Sequence, residues 1–212
     1  MSRARPANRL VALGAAAAAG YLFGTIPSAD VAAHFATRGE VDMRVHGSGN
    51  PGAFNAMGVL GKKWGYAVGV ADVAKGVAGA SAGRVLAGDL GAHVGGTAAV
   101  VGHCYPVWKR FHGGKGVASG IGQFLATSPA QLPVQVAAGL TGALSPKRRA
   151  LAISIALGTG WIACSVVWWR RGLPNLWGPP PTVALPVAAT TTTVIVLQRF
   201  LRDRRAGSPA TP

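Results

Sequence analysis

The chain has 212 residues, half of them apolar, and its 21 lysines and arginines against six aspartates and glutamates leave a formal charge of +15. Its mean hydropathy of +0.33 and its charged fraction of 13% argue against a typical soluble domain, in which roughly a quarter of the residues are charged. The cations are clustered between apolar segments of helix-spanning length, so the composition predicts a membrane protein in contact with lipid and no nucleic-acid partner.

Apolar sequence begins close to the N-terminus. Residues 1–9 form a basic extension, and the alanine-rich segment from Leu10 to Ala36 predicts a first transmembrane helix with a kink at Pro27. The run from Leu10 to Gly24 is also compatible with a secretory signal peptide. Because the apolar character continues for nearly the length of a full span, we expect a retained helix.

A glycine-rich polar loop is predicted next, from Arg38 to Lys63. It contains Arg44, Ser48, Asn50 and Asn55, and a loop of this length within a compact domain is usually functional. Serine and asparagine can hydrogen-bond a substrate's hydroxyl or carbonyl oxygen, and arginine can bind phosphate through two parallel bonds. We therefore interpret the loop as part of a substrate site.

Charged side chains lie within the next two predicted spans, Trp64–Ala87 and Ala92–Trp108, which a tight turn separates. Asp72 and Lys75 are three residues apart and share one helical face. Charges in a span are costly unless they are paired or face a polar cavity. The two residues form either a structural ion pair or a phosphate contact that Asp72 positions, and His103 either bonds within the bundle or accepts a proton.

No metal or cofactor site is predicted. Cys104 and Cys164 lie in or beside apolar segments without a CxxC spacing, so neither a disulfide nor a zinc site is indicated. His103 lacks further ligands at a recognisable spacing. We expect both cysteines to be packing residues.

The segment HCYPVWKRFHGGKGVASG, residues 103–120, is the strongest local signal. Its centre, Gly113-Gly114-Lys115-Gly116, places a cation inside a glycine run. Glycines allow backbone N–H groups to converge on one point, and converging amides around a lysine form a nest for phosphate. The motif is not a Walker A loop, because no serine or threonine follows the glycine and lysine. We predict that it holds a substrate phosphate at the membrane surface.

The rest of the chain completes an all-α, polytopic helical bundle of about seven transmembrane helices. Two short runs are either two tilted helices or a broken re-entrant pair, and two longer spans follow them: Val117–Thr127, Val134–Leu144, Leu151–Trp169 and Val183–Leu197. We expect one membrane-embedded domain over residues 10–201 and a basic, disordered tail over 202–212. The excess of lysine and arginine in the loops on one face predicts that this face is cytoplasmic.

The order and spacing of these motifs resemble those of the bacterial membrane glycerol-3-phosphate acyltransferases that use acyl phosphate as donor. The strings that carry the resemblance are YLFGTIPS from Tyr21, DMR and GSGNPGAFN from Asp42, DxxKG from Asp72, GHxxP from Gly102 and FxGGKGVA from Phe111. The resemblance implies a seven-helix enzyme of the inner membrane with its site facing the cytoplasm. It further implies transfer of a fatty acyl group from acyl phosphate to the 1-hydroxyl of glycerol 3-phosphate, giving lysophosphatidate.

The same resemblance assigns roles to individual residues. Ser48 and Arg44 match residues that serve activity in the family, and Gly113 to Gly116 match its glycerol phosphate site. We expect three polar side chains to position acyl phosphate and the attacking hydroxyl, namely Ser48, Asn50 and Asn55. Three cations would neutralise the two phosphates, namely Arg44, Lys75 and Lys115. Either His103 or the substrate's own phosphate would take the hydroxyl proton.

Two departures from the family pattern keep other functions open. Phe54 stands where the family has threonine, and the family's C-terminal third motif of histidine, asparagine, arginine and glutamate has no counterpart beyond a possible remnant at Arg199–Arg202. A non-catalytic membrane relative that binds glycerol phosphate or anionic lipid is therefore the main alternative. A transporter of organic phosphates is a further one, without a matching motif.

Overall fold

The computed structural model describes residues 6–146 and 149–205, and in these residues all regular secondary structure is helical. The eight α-helices are α1 Pro6–Gly24, α2 Ser28–Thr37, α3 Ala53–Leu60, α4 Lys62–Cys104, α5 Val117–Thr127, α6 Leu132–Ala143, α7 Arg149–Arg171 and α8 Ala184–Arg205. Short 3-10 turns lie at Val107–Lys109 and Pro129–Gln131. The all-α prediction is confirmed.

Helix α4 is a hairpin of two helices, broken where the tight turn was predicted. Ala87 has φ −138° and ψ 20°, and Gly88 has a positive φ of 67°, which glycine adopts readily. The halves, residues 62–86 and 89–104, run antiparallel with their backbones in close contact. Gly83 lies against the carbonyl oxygen of Gly91, where a side chain has no room. Small residues of this kind allow helices in a membrane to approach closely.

Helix α1 packs along the second half of α4 in the same way. Gly20 and Gly24 lie against the backbones of Gly95 and Ala99. The chain then breaks before Pro27, which has no backbone N–H to continue a helix, and α2 starts at Ser28. The predicted kink is therefore a complete break, and it directs the start of α2 towards the interior.

The predicted loop from Arg38 to Lys63 is not loop throughout, because α3 occupies Ala53–Leu60. Helices α2 and α3 pack on the first part of α4 through small apolar side chains, including Ala32, Ala56 and Val68. Sequence reasoning missed α3 because glycine and polar residues surround it. The two short helices cover one end of the bundle and hold the polar loop between them.

Helices α5 and α6 are short, with 11 and 12 residues, and the buried turn between them is polar. The loop between α7 and α8 covers this turn: the Asn175 side chain donates to the Thr127 carbonyl at 2.9 Å. The indole of Trp161 donates to the Ser128 hydroxyl at 2.9 Å. Where a helix ends inside a membrane protein, its last backbone carbonyls need hydrogen-bond partners within the protein. The loop between α7 and α8 provides such a partner through Asn175.

Four helical segments of the described chain are long and apolar enough to cross a membrane: Ala7–Thr37, Lys62–Lys109, Arg149–Arg171 and Ala184–Asp203. The second contains both halves of α4. Helix α8 continues to Arg205, so residues 202–205 of the expected tail are helical. Residues 206–212 of that tail, and residues 1–5 of the basic extension, lie outside the described residues.

Candidate functional site

The site lies at the end of the bundle where α1, the second half of α4 and α8 end, and its centre is the buried carboxylate of Asp72. The Ser28 hydroxyl donates to this carboxylate at 2.6 Å, the Lys75 ammonium lies 2.8 Å from it, and His103 Nδ1 lies 3.5 Å from it. Lys75 also donates to the Ile26 carbonyl at 2.6 Å. Of the two interpretations of Asp72 and Lys75, the geometry is that of the structural ion pair. His103 is thereby oriented by a carboxylate.

Arg44 lies at the entrance of the site in a second charged cluster. Its guanidinium is 2.6 Å from Asp30 and donates through Nε to the His112 carbonyl at 3.1 Å. Lys109 lies 2.9 Å from the other oxygen of Asp30. The Arg44 guanidinium also lies 3.5 Å from the Asp42 carboxylate, so the cluster consists of two cations and two carboxylates. Asp30 and Ser28 were not predicted as site residues, although an acid inside an apolar span is a recognisable signal.

Asn55 holds the polar loop in shape and lines neither of the two clefts described below. Its amide nitrogen donates to the carbonyls of Met43 and His46, both at 3.0 Å, and its oxygen accepts from the Ser48 N–H at 2.8 Å. The expected contact of Asn55 with substrate is thus replaced by backbone bonds. The Ser48 hydroxyl is buried and has no hydrogen-bond partner in the described residues. Asn50, by contrast, lines a cleft.

The glycine loop also differs from the expectation. The N–H of Gly113 donates to the Cys104 carbonyl at 3.2 Å, and that of Gly114 donates to the His103 carbonyl at 3.1 Å. These two amides are therefore occupied and do not form the predicted nest. The carbonyls of both glycines accept bonds from Arg199, at 2.7 and 3.1 Å. Gly114 lies against the His103 imidazole so closely that a methyl group there would clash.

Lys115 is the cation that the glycine loop brings to the site. Its side chain is only 12% exposed, and its ammonium lies 3.5 Å from Asp203 and 4.8 Å from the ring centre of Phe200. Burial lowers the pKa of Lys115 from its ordinary value, the Asp203 carboxylate opposes this, and the Arg199 guanidinium adds to it. Gly116, with φ 84°, then starts α5, so the positive end of that helix lies beside the lysine.

Two clefts meet at Asp72 and His103. The polar cleft has an empty volume of about 290 Å³, and its lining includes Asp30, Arg44, Lys75, Gly113 and Gly114. The apolar cleft has about 850 Å³, and its lining includes Asn50, Lys115, Gly116, Ile121, Ile153 and Leu157. A further apolar cavity of about 780 Å³ shares Ile121 and Leu157 with it and extends towards Trp161.

The structure thus brings Arg44, Asn50, Asp72, Lys75, His103, Lys115 and the three glycines to the clefts and leaves Ser48 and Asn55 behind them. In the described residues no group of three histidines, cysteines, aspartates or glutamates is placed to hold a metal ion. A small polar cleft that meets a larger apolar one, inside a bundle of apolar helices, defines a class of protein. It is a helical membrane protein with a polar and an apolar cleft that share a charged centre.

Comparison with known proteins places the chain within that class. The family model for glycerol-3-phosphate acyltransferase matches residues 14–205, and the chain belongs to this family. A glycerol-3-phosphate acyltransferase of Exiguobacterium sibiricum is 46% identical over 110 residues, 52% of either chain. Glycerol-3-phosphate acyltransferase 4 of Dehalococcoides mccartyi is 35% identical over 193 residues, 87% of this chain and 94% of the relative.

Solved structures agree with this assignment. Two crystal structures of PlsY, an integral membrane glycerol 3-phosphate acyltransferase, are similar to this chain. The glycerol 3-phosphate form gives a TM-score of 0.68 and 28% identity, over 89% of this chain and 90% of that one. The lysophosphatidic acid form gives a TM-score of 0.70 and 29% identity, over 93% of each chain. The motif-based family prediction is confirmed, and the protein is a multi-pass membrane protein.

Proposed function

We propose that this protein transfers a fatty acyl group from acyl phosphate to the 1-hydroxyl of glycerol 3-phosphate, releasing phosphate and forming lysophosphatidate. Family membership makes it an acyltransferase with glycerol 3-phosphate as acceptor. The donor, the hydroxyl that is acylated and the residue roles are what the proposal adds. One observation carries it: the polar cleft and the apolar cleft meet at His103 and Asp72.

The donor fits the apolar cleft with its phosphate at the mouth. Lys115 and the start of α5 favour an anion there, and Asn50 supplies an amide to its oxygens. The acyl chain would then extend past Ile121 and Leu157, which line both the apolar cleft and the cavity beyond it. Burying a chain of this kind stabilises binding by about 0.8 kcal/mol for each CH₂ group.

Glycerol 3-phosphate would bind in the polar cleft, whose lining includes the cations Arg44 and Lys75. His103 also lines this cleft. Holding two anions in one cationic site offsets their mutual repulsion and brings the hydroxyl to the donor carbonyl.

In the reaction, the hydroxyl oxygen attacks the carbonyl carbon of acyl phosphate and forms the new ester bond. The bond from that carbon to the phosphate oxygen breaks, and phosphate leaves with the electron pair. His103 takes the hydroxyl proton, since its ring lies between the clefts and Asp72 orients it. A mixed anhydride is already activated, so the reaction needs no nucleophile from the protein.

The test is acyl transfer by the purified protein in liposomes, with labelled glycerol 3-phosphate and either acyl phosphate or acyl-CoA. We expect lysophosphatidate from acyl phosphate alone. Product from acyl-CoA alone would contradict the proposed donor. Binding of glycerol 3-phosphate without any product would instead support the non-catalytic alternative that the missing third motif raises.

We further infer that the chain crosses the inner membrane seven times with the site facing the cytoplasm. The segments are α1, the two halves of α4, α5, α6, α7 and α8, and their directions alternate. Helices α5 and α6 are only about 17 Å long at 1.5 Å per residue, against about 30 Å of hydrocarbon core. The loop between α7 and α8, which covers the turn between α5 and α6, would fill the remaining thickness of the hydrocarbon core.

Single cysteines at His112 and Arg171, in a variant without native cysteines, test this topology. The two positions lie at opposite ends of the bundle, His112 at the site end and Arg171 at the end of α7. In intact spheroplasts, a membrane-impermeant maleimide should label the cysteine at Arg171, and it should label that at His112 only after permeabilisation. The reverse pattern would contradict the orientation.

A further inference from the structure

We propose that Arg199 and Asp203, on the last turns of α8, are positioning residues that hold the glycine loop and Lys115 in the arrangement that binds the donor phosphate. The inference rests on the proposed function, because it concerns the same phosphate site. It goes beyond that function in assigning roles to two residues that line neither cleft, of which only Arg199 lies in the possible remnant of the third motif.

Arg199 fixes the glycine loop from one side. Its Nη2 donates to the Gly113 carbonyl at 2.7 Å and its Nε donates to the Gly114 carbonyl at 3.1 Å. On the other side, the amides of both glycines donate to the end of α4. The peptide group that joins Gly113 to Gly114 is thus held through both its carbonyl and its N–H. A guanidinium suits this task because its donors form a rigid planar fork, which an ammonium lacks.

Asp203, one helical turn further, acts on the lysine. Its carboxylate lies 3.5 Å from the Lys115 ammonium and 3.9 Å from the Arg199 guanidinium. Phe200 lies on the same side of the helix, beneath the ammonium at 4.8 Å. The carboxylate therefore offsets repulsion between two cations that are each only 12% exposed. Without it, Lys115 and Arg199 would repel each other at the mouth of the cleft.

The end of α8 is itself held by the core, so these contacts are not those of a loose tail. Val196 and Phe200 are buried against Val100 and Cys104. Higher in the helix, the Thr192 hydroxyl donates to the buried side chain of Gln123 on α5 at 2.7 Å. Packing of α8 thus sets where Arg199 and Asp203 lie relative to the start of α5. Neither residue lines the polar or the apolar cleft, which makes both positioning residues and not catalytic ones.

The first experiment compares Arg199→Gln with Arg202→Gln. The two arginines are three residues apart on α8, and each substitution removes one positive charge. Both guanidinium groups lie over the Tyr105 ring, at 5.4 and 5.6 Å from its centre. Of these two arginines, only Arg199 donates a hydrogen bond to the glycine loop in the described residues.

We expect Arg199→Gln to raise the KM for acyl phosphate about tenfold, the equivalent of 1.4 kcal/mol, with a smaller change in kcat. We expect Arg202→Gln to stay within about twofold of wild type in both. Arg199→Lys should recover only part of the loss, since it restores the charge without the fork.

The second experiment is a double-mutant cycle, read as binding of a long-chain alkyl phosphonate, which resembles the donor and cannot react. Asp203→Asn should weaken phosphonate binding in the otherwise wild-type protein and should have no further effect when Lys115→Gln is present, because it acts through Lys115.

Equal effects of Asp203→Asn in both backgrounds would overturn the role of Asp203. Equal KM values for the Gln variants at 199 and 202, or full recovery with Arg199→Lys, would overturn that of Arg199. If wild type binds the phosphonate but does not turn over acyl phosphate, the proposed function fails while both comparisons remain readable in binding.

Discussion

At the scale of single residues, the charge of Lys115 should set the upper pH limit of activity. Because burial depresses the pKa of Lys115, its ammonium loses its proton at a lower pH than an ordinary lysine, whose pKa is about 10.4. The charged form binds phosphate, so activity should be present below the pKa of Lys115 and lost as the pH rises through it. In the Lys115→Arg variant, the guanidinium at this position stays positively charged at every accessible pH.

The measurement is kcat/KM against pH for wild type and Lys115→Arg, corrected for spontaneous hydrolysis of acyl phosphate. We expect an alkaline limb in wild type that is absent from the arginine variant. An identical limb in both proteins would show that another group titrates and that the charge of Lys115 is not required.

Gly114 should be intolerant of even one methyl group. The methyl group of an alanine at this position would clash with the His103 imidazole. The backbone conformation of Gly114 itself does not require a glycine. The imidazole would have to leave its position beside Asp72. We expect Gly114→Ala to lower kcat by about 10² to 10⁴, the range that general acid–base catalysis contributes. The matched control is Gly58→Ala, since a methyl group at Gly58 meets nothing within 4 Å. Full activity of the Gly114 variant would contradict the placement of His103.

Some of these residues could be predicted from sequence and others could not. Asp72 and Lys75 were identifiable because they share a helical face inside an apolar span, and their pairing follows from the cost of isolated charges there. Asn55 and the first two glycines were assigned to substrate, yet backbone groups from distant positions occupy their polar atoms. Such partners depend on the path of the whole loop, which no local pattern contains.

At the scale of elements, the α4 hairpin depends on contact between glycines. Gly83 lies against the backbone of Gly91, so Gly83→Ala must push the two halves apart. Overpacking of this kind typically costs about 1–3 kcal/mol. We expect a lower midpoint of thermal unfolding in detergent for Gly83→Ala. Gly14→Ala in α1, where the methyl group meets nothing within 4 Å, should leave the midpoint unchanged or raise it. Equal midpoints for both variants and wild type would contradict the close packing of the hairpin.

Continuous apolar runs were the most predictable elements, whether short or long. The segments predicted at Val117–Thr127 and Leu151–Trp169 correspond to α5 and α7, because a continuous apolar run bounded by polar residues has few other solutions in a membrane. The break before Pro27 and the helical end of α8 were harder to predict. Their positions depend on packing against α4, and Asp203 consequently seemed part of a tail.

At the scale of the whole molecule, the bundle keeps the polar and the apolar cleft apart until they meet at Asp72 and His103. The start of α2, helix α4 and the glycine loop line the polar cleft, while α3, α5, α7 and α8 contribute to the lining of the apolar cleft. The motifs pointed to both substrates. The separation into two clefts follows only from the fold, because their walls come from five or more segments distant in sequence.

The measurement that tests this account most directly is a structure of the protein with a bound long-chain alkyl phosphonate. We predict that the phosphonate lies beside Lys115 and the start of α5, with the chain passing Ile121 and Leu157. Variants with a larger side chain at Leu157, such as Leu157→Trp, should then shorten the preferred acyl chain. A phosphonate bound at the Arg44 cluster, or a chain lying outside the cleft between α5 and α7, would contradict the account.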